Sequence, residues 1–245
     1  YSIVVHKSID PTTYPNILVV DYMKSTKQIT PELQMKAEGY INHGYQRLLS
    51  YEVPGGGFEW FGNPPAHKIL TAYGLLEFYD MSKVNNVDPN VISRTQNWLV
   101  SQQTADGSWE PTQQYLDVVA SAFANDKLRT SAYILWALAE SEYKGNPLEK
   151  GFGYIHNNLK NVTDPYTLAL CANALVSAES KTRKEDLADI FNKLLDLKKE
   201  EKDYIYWKAT SPTSVYSEGK SADIEVTALC AYALIKAGKA SEVVN

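Results

Sequence analysis

Gly55-Gly56-Gly57-Phe58-Glu59-Trp60-Phe61-Gly62-Asn63-Pro64-Pro65, running into Ala66-His67-Lys68-Ile69-Leu70-Thr71-Ala72-Tyr73-Gly74-Leu75-Leu76-Glu77-Phe78, decides the fold class. A glycine run meets an aromatic cluster, and two prolines then stop any preceding element. Pro65 suits the first turn of a helix, where its missing N–H costs little. Leu70, Tyr73, Leu76 and Phe78 predict a buried helix face rather than a strand. Gly74 marks an expected close approach of a second helix.

Outward from that stretch the chain reads as further helices. Residues 1–14 form a non-helical lead-in, and Ile17–Met23 a short buried helix. Pro31–Leu49 carries Leu33, Ala37, Tyr40, Ile41, Tyr45, Leu48 and Leu49 at three-four spacing, with Thr30 as its cap. Asp88-Pro89 opens the next helix, which ends near Gln103 before Asp106-Gly107 makes a turn and Trp109 folds back over the helix end. Glu110–Asn125 is the least legible region, with Tyr115–Val119 open to a helix turn or a strand. Lys127–Glu142, Pro147–Leu159, a helix capped by Asp164-Pro165, Lys184–Lys199 and Ile224–Leu234 follow. Asp203–Lys220 reads as a loop of aromatics, serine and proline. Tyr133 and Trp136 are expected inside, and Lys184, Lys193 and Lys198 outside.

An internal repeat links the apolar helices. Ala72, Ala132, Ala169 and Ala228 each stand six residues before Phe78, Leu138, Leu175 and Leu234. Between these alanine-rich helices lie more charged, amphipathic ones. Small residues suit an inner ring and amphipathic stripes an outer one, so the expected fold is all-α: an α/α toroid of alternating inner and outer helices in a single domain, 1–245.

The order Gly57-Phe58-Glu59-Trp60-Phe61-Gly62, then Leu70-Thr71-Ala72-Tyr73-Gly74-Leu75, resembles the thioester domain of the α2-macroglobulin and complement C3 family in its bacterial form. The glutamine-ended helix before Asp106-Gly107-Ser108-Trp109 is similar to a repeat of that domain and of terpene cyclases. The resemblance implies the same toroid over nearly the whole chain. It also implies a Cys-x-Glu-Gln motif whose Cys and Gln condense into a thioester. Counting back from Thr12 places Val5 at the Cys position and Ser8 at the Gln position, and neither can make that bond. No cysteine precedes Cys171, and neither Cys171 nor Cys230 is followed by Gln three residues on. The attacking histidine of fast thioester domains has no counterpart between Gln103 and Lys127. The expectation is a non-catalytic, thioester-less domain with no cofactor. Its parent would be extracellular, periplasmic or on the cell surface, trapping proteases or marking surfaces through noncovalent contacts. The partners implied are neighbouring macroglobulin-type domains and a protease or a cell surface.

Composition narrows the alternatives. A net charge of −5, with no basic cluster, argues against a nucleic-acid footprint, and no apolar run reaches the length of a membrane span. The opening at Tyr1 reads as an excised or processed fragment. His6, His43, His67 and His156 lack zinc-ligand spacing. The Cys-x-His element of toroidal prenyltransferases is missing after Cys171 and Cys230, as is an Asp-x-Asp-Asp motif. Both cysteines read as small core residues. Asp223 and Glu225 are expected to cap and polarise the last helix. The rival reading is a carbohydrate-active enzyme using a carboxylate pair drawn from Glu59, Asp106, Glu110 and Asp223, with Trp60, Trp109, Tyr204 and Trp207 lining a sugar cleft. The simpler role for those aromatics is to seal helix ends. Asn161-Val162-Thr163 fits a glycosylation sequon, which has meaning only in a secreted eukaryotic chain.

Overall fold

The computed structural model describes residues 13–26, 29–112, 126–179, 183–202, 204–214 and 217–243. Among these, nine α-helices are joined by one short hairpin. The helices are α1 (Thr13–Ser25), α2 (Pro31–Leu49), α3 (Lys68–Val84), α4 (Pro89–Ser101), α5 (Lys127–Glu140), α6 (Asn146–Asn158), α7 (Pro165–Ser177), α8 (Lys184–Leu197) and α9 (Gly219–Lys236). The hairpin pairs β1 (Lys199–Glu201) antiparallel with β2 (Tyr204–Tyr206), placing Glu200 opposite Ile205. Its second strand occupies the start of the stretch expected to be loop, and its first begins at Lys199, the last residue of the helix expected before it. The chain forms two compact units, Tyr1–Ser101 and Gln102–Asn245.

In the first unit, α2 starts where the sequence places it. The Thr30 hydroxyl accepts from Leu33 N at 3.3 Å, with Pro31 in the first turn. Its buried stripe is narrower than expected: Ala37, Ile41, Tyr45 and Leu48 are inside, while Leu33 and Tyr40 are exposed. α1 begins at Thr13, inside the expected lead-in, and residues 1–12 lie outside the described ones. It buries Ile17 and Val20 but exposes Leu18, Val19 and Tyr22, so it is a one-faced helix rather than a wholly buried one.

α3 departs from expectation at its start. His67, not a proline, caps it, Nδ1 accepting from Leu70 N at 3.2 Å, and Pro65 stands outside the first turn. Its deepest residues are Thr71, Ala72, Leu75, Phe78 and Met81, with Leu70, Tyr73 and Leu76 half-buried. The cause of this rotation is Thr71, which faces inward because its hydroxyl accepts from Phe58 N at 2.9 Å. Phe58 then packs on Phe78 at 5.4 Å between ring centres, and Tyr45 meets Phe78 edge-on at 5.9 Å. The close approach expected at Gly74 is not there: a Cβ at that position would meet only the Phe78 ring, at 3.8 Å.

The second unit holds the clearest layering. α7 lies between α5 and α9, with α6 against α5 and α8 against α7. α5 and α7 are buried on nearly every side, as alanine-rich inner helices should be. α6 and α8 bury only single stripes, Leu148, Phe152 and Ile155 in one and Ile190, Phe191 and Leu194 in the other. Close helix approach falls here, at Gly151, where a methyl would collide with Leu135. Tyr133 is buried as expected, but Trp136 is only half-buried, resting edge-on against Tyr133. Lys184 is exposed, whereas Lys193 and Lys198 are only partly so, the Lys193 ammonium donating to Leu159 O at 3.0 Å. α9 starts five residues earlier than read from the sequence. It buries Ala222, Val226, Cys230, Ala233 and Leu234 and leaves Ala228, expected inside, exposed beside Ile224.

Candidate functional site

The functional groups collect where loops meet the N-terminal ends of the inner helices. Three inner helices share one device, α3 and α5 near their starts and α9 in mid-helix. In each, a hydroxyl one residue before the repeat alanine accepts the backbone N–H of an aromatic plug. Thr71 takes Phe58 N at 2.9 Å, Ser131 takes Trp109 N at 2.9 Å, and Thr227 takes Trp207 N at 3.0 Å. Phe58, Trp109 and Trp207 are buried, and the Trp207 indole donates to Leu194 O at 2.7 Å. Of the four aromatics expected to seal helix ends, Trp109 and Trp207 serve as such plugs and the exposed Tyr204 does not, while Phe58 is a plug that reading did not name. Gly107 is required before Trp109 for two reasons. Its φ is +88°, and any side chain there would strike the backbone of Lys150.

The start of α7 is built differently. Leu168 stands where the hydroxyl would be, and charge takes over. Arg129 of α5, 6% exposed, donates through Nη2 to Asp164 at 2.8 Å and to the Ser211 hydroxyl at 2.9 Å. Through Nη1 it donates to Pro212 O at 2.9 Å, and its guanidinium lies over the Tyr166 ring. Asp164 also caps α7, accepting from Thr167 N at 2.9 Å, and takes the Thr210 hydroxyl at 2.6 Å. Burial pushes the Asp164 carboxyl up, but hydrogen bonds from Thr167 and Thr210 and the Arg129 charge outweigh it, holding it below the usual carboxylate range.

Asp223 and Glu225 complete this anchoring and do not cap α9, whose N-cap is Glu218. Asp223 accepts from Ala209 N at 2.7 Å, and Glu225 accepts the Thr213 hydroxyl at 2.8 Å. Burial raises Glu225 despite its hydrogen bonds from Ser217 and Thr213. The loop over these helix ends is therefore pinned at Ala209, Thr210, Ser211, Pro212 and Thr213 by side chains of α5, α9 and the α7 cap. A cleft of about 340 Å³ beside it is lined by Lys208, Thr210, Ser211, Glu218 and Asp223, with no aromatic among its described residues.

The carboxylates named for a glycosidase do not assemble as one. Glu59 serves its own loop, accepting from Phe61 N at 2.8 Å and Asn63 N at 3.0 Å. Asp106 and Glu110 do meet, but across the Lys127 ammonium, at 3.2 Å and 2.6 Å. Hydrogen bonds from Ser108 and Thr104, with Lys127, hold Asp106 far below the usual range, the opposite of a general acid. Trp60 is buried with its ring edge toward His67, and the exposed Tyr204 lies against Tyr206. His156 pairs with Asp186 at 2.7 Å, and no group of three His, Cys, Asp or Glu side chains gathers among the described residues. Asn161, the last residue of a 3₁₀ turn, and Thr163 of the sequon are exposed. Val5, Ser8, His6, Asp117 and Tyr115–Val119 fall outside the described residues.

Cys171 and Cys230 are free and buried, and burial pushes both thiols up. Sequence reading missed Arg129, Tyr166 and the capping Asp164 as one cluster. The available signal was an arginine in the otherwise neutral Leu128-Arg129-Thr130-Ser131-Ala132 start of an inner helix. It also missed Glu77, a carboxyl inside the apolar Leu75–Phe78 run.

Alanine-rich inner helices, amphipathic outer ones and aromatic plugs at the helix ends define an all-α domain of the α/α toroid class. The chain belongs to the A-macroglobulin TED domain family, whose family model matches residues 11–244. It is 30% identical to ovostatin of Gallus gallus over 232 residues, 90% of this chain and 16% of that protein. It is 26% identical to thioester-containing protein 1 allele S1 of Anopheles gambiae over 203 residues, 80% of this chain and 15% of that protein. The chain thus spans about a sixth of these relatives' length. Among the described residues no helix is long and apolar enough to cross a membrane.

Proposed function

We propose that this chain is a thioester-less TED domain of a larger, extracellular macroglobulin-like protein, working by noncovalent contact with a protease or a surface. The observation that carries the reading is the placement of its two cysteines. Cys171 and Cys230 lie inside α7 and α9, with Ala174 and Ala233 three residues on, where a thioester needs glutamine. A thiol pushed up by burial supplies no thiolate to condense or attack. Val5 and Ser8, at the positions counted for the motif, offer neither sulfur nor carboxamide. The family match runs through both compact units, which supports reading residues 1–245 as one domain. Neighbouring domains of the parent are its first partners in this reading. Among the described residues no carboxylate pair in an aromatic cleft supports the carbohydrate-active alternative.

Intact mass before and after methylamine, with parallel incubation against active protease, tests the proposal. The expected result is an unchanged mass with reversible binding. Amine incorporation, or an adduct that survives denaturation, would overturn it, and turnover of an oligosaccharide would favour the enzyme.

A further inference from the structure

Glu77 occupies the middle of α3, 1% exposed, and neither carboxyl oxygen makes a hydrogen bond of ordinary geometry. On its own helix Tyr73, one turn back, is the group that favours its charged form, and Asp80 disfavours it. Among the described residues no lysine, arginine or histidine is among the groups that act on it, and Arg47 of α2 donates to the Tyr51 hydroxyl at 3.4 Å. Toward the core, α1, α2 and α4 bury apolar side chains with Tyr45 and Thr95. The Tyr45 hydroxyl accepts from Asp88 N, and the Thr95 hydroxyl donates to Val91 O. Lys24 donates to Val84 O, Arg94 pairs with Glu52, and Lys83 pairs with Asp80. In the turn before α3, Glu59 accepts loop amides and His67 caps the helix. A carboxylate cannot stay charged at such a place without several kcal/mol of uncompensated desolvation, so the native state holds it as the neutral acid.

We propose that Glu77 is a proton-controlled latch, keeping α3 and the Gly55–Asn63 turn packed while protonated and releasing them when it ionises. The link to the turn is short. Thr71, six residues before Glu77, holds Phe58 N, and Phe58 O accepts from His67 N at 2.7 Å. Burial, the largest cause, with Asp80 adding to it, pushes the Glu77 carboxyl from 4.5 up to about 8. A group raised on folding gives its full stabilisation below its unfolded value. That stabilisation falls as pH rises from 4.5 and is gone once pH passes 8. The released proton goes to solvent, and each pH unit in that window raises the opening constant about tenfold.

Amide hydrogen exchange of Phe58 and His67 in the whole chain, corrected for the intrinsic pH dependence of exchange, reads the latch. Wild type should show opening that rises about tenfold per pH unit and flattens above pH ~8, while Glu77→Gln stays flat. Calorimetry in buffers of different ionisation heat gives an independent reading. Unfolding near pH ~6.5 should release about one proton more from wild type than from Glu77→Gln. If Glu77→Gln does not fold, Glu77→Met takes its place, and the wild-type proton count stands by itself. Equal, pH-independent protection in both chains would overturn the proposal. So would absence of the extra proton, because Glu77 would then be ionised and paired in the native state.

Discussion

The starts of α5 and α7 face the same problem and solve it with different chemistry. Each must satisfy exposed amides and close the inner layer against water. At α5 the Asp126 carboxylate caps Leu128 N and Arg129 N, but the closing of the layer is neutral: the Ser131 hydroxyl takes Trp109 N and the indole fills the space. At α7 Leu168 removes the hydroxyl, and a buried guanidinium, a capping carboxylate and a polar loop do the closing. Neutral plugs are insensitive to ionisation and degrade gradually when trimmed. A buried ion pair fails abruptly when one partner goes, because the other is left charged and dry.

The sharpest way to break this comparison is to remove one charge at α7. Arg129→Ala should destabilise the second unit by about 3–5 kcal/mol in denaturant titration. The double variant Arg129→Met with Asp164→Asn should lose clearly less than Arg129→Ala, since no charge is stranded. A double variant as damaged as the single would mean that the cluster acts through packing alone. The same pair sets an acid limit. Asp164 is lowered on folding, so its stabilisation is present above the ordinary aspartate range and disappears as pH falls through its folded value. Acid unfolding of Asp164→Asn should lack that component.

Next in size are the hydroxyl staples. Thr71→Val, Ser131→Ala and Thr227→Val each strand a buried or part-buried N–H and should each cost about 1–3 kcal/mol by thermal or denaturant unfolding. Ser131→Ala should show no dependence on acid pH beyond wild type, which distinguishes it from the Asp164 variant. Smallest, and opposite in sign, is Gly74→Ala. With only ordinary contact awaiting its methyl in mid-helix, it should stabilise by about 0.5–1 kcal/mol, whereas a loss would restore the close approach read from the sequence.

The helices were legible because composition and capping agree along them. Thr30-Pro31, Asp88-Pro89 and Asp164-Pro165 mark their starts without help from tertiary contacts. Which face of α3 turns inward was not legible, since Leu70, Tyr73 and Leu76 outscore Thr71 on any apolar count. The hydrogen bond from Phe58, a long-range event, reverses that order. Trp136 and Ala228 went wrong for a related reason: residue type says how much surface is worth burying, not where a neighbouring helix stands. The Asp106–Glu110 pairing was half visible, as two nearby acids, but the lysine between them comes from the first residue of α5. Asp223 and Glu225 resembled caps only because the start of α9 was placed five residues late.

The staples join residues 13, 22 and 20 positions apart. Each is a contact between a helix side chain and a peptide group, so it fixes where a connection must return and leaves its length and the identity of the plug free. Phe58 and Trp109 already exchange roles on that basis. A segment inserted between plug and helix would enlarge only a loop, at an entropic cost that grows slowly with length. These helices thus carry interchangeable sockets, on which loops of different reach can be mounted without altering the helix beneath each one.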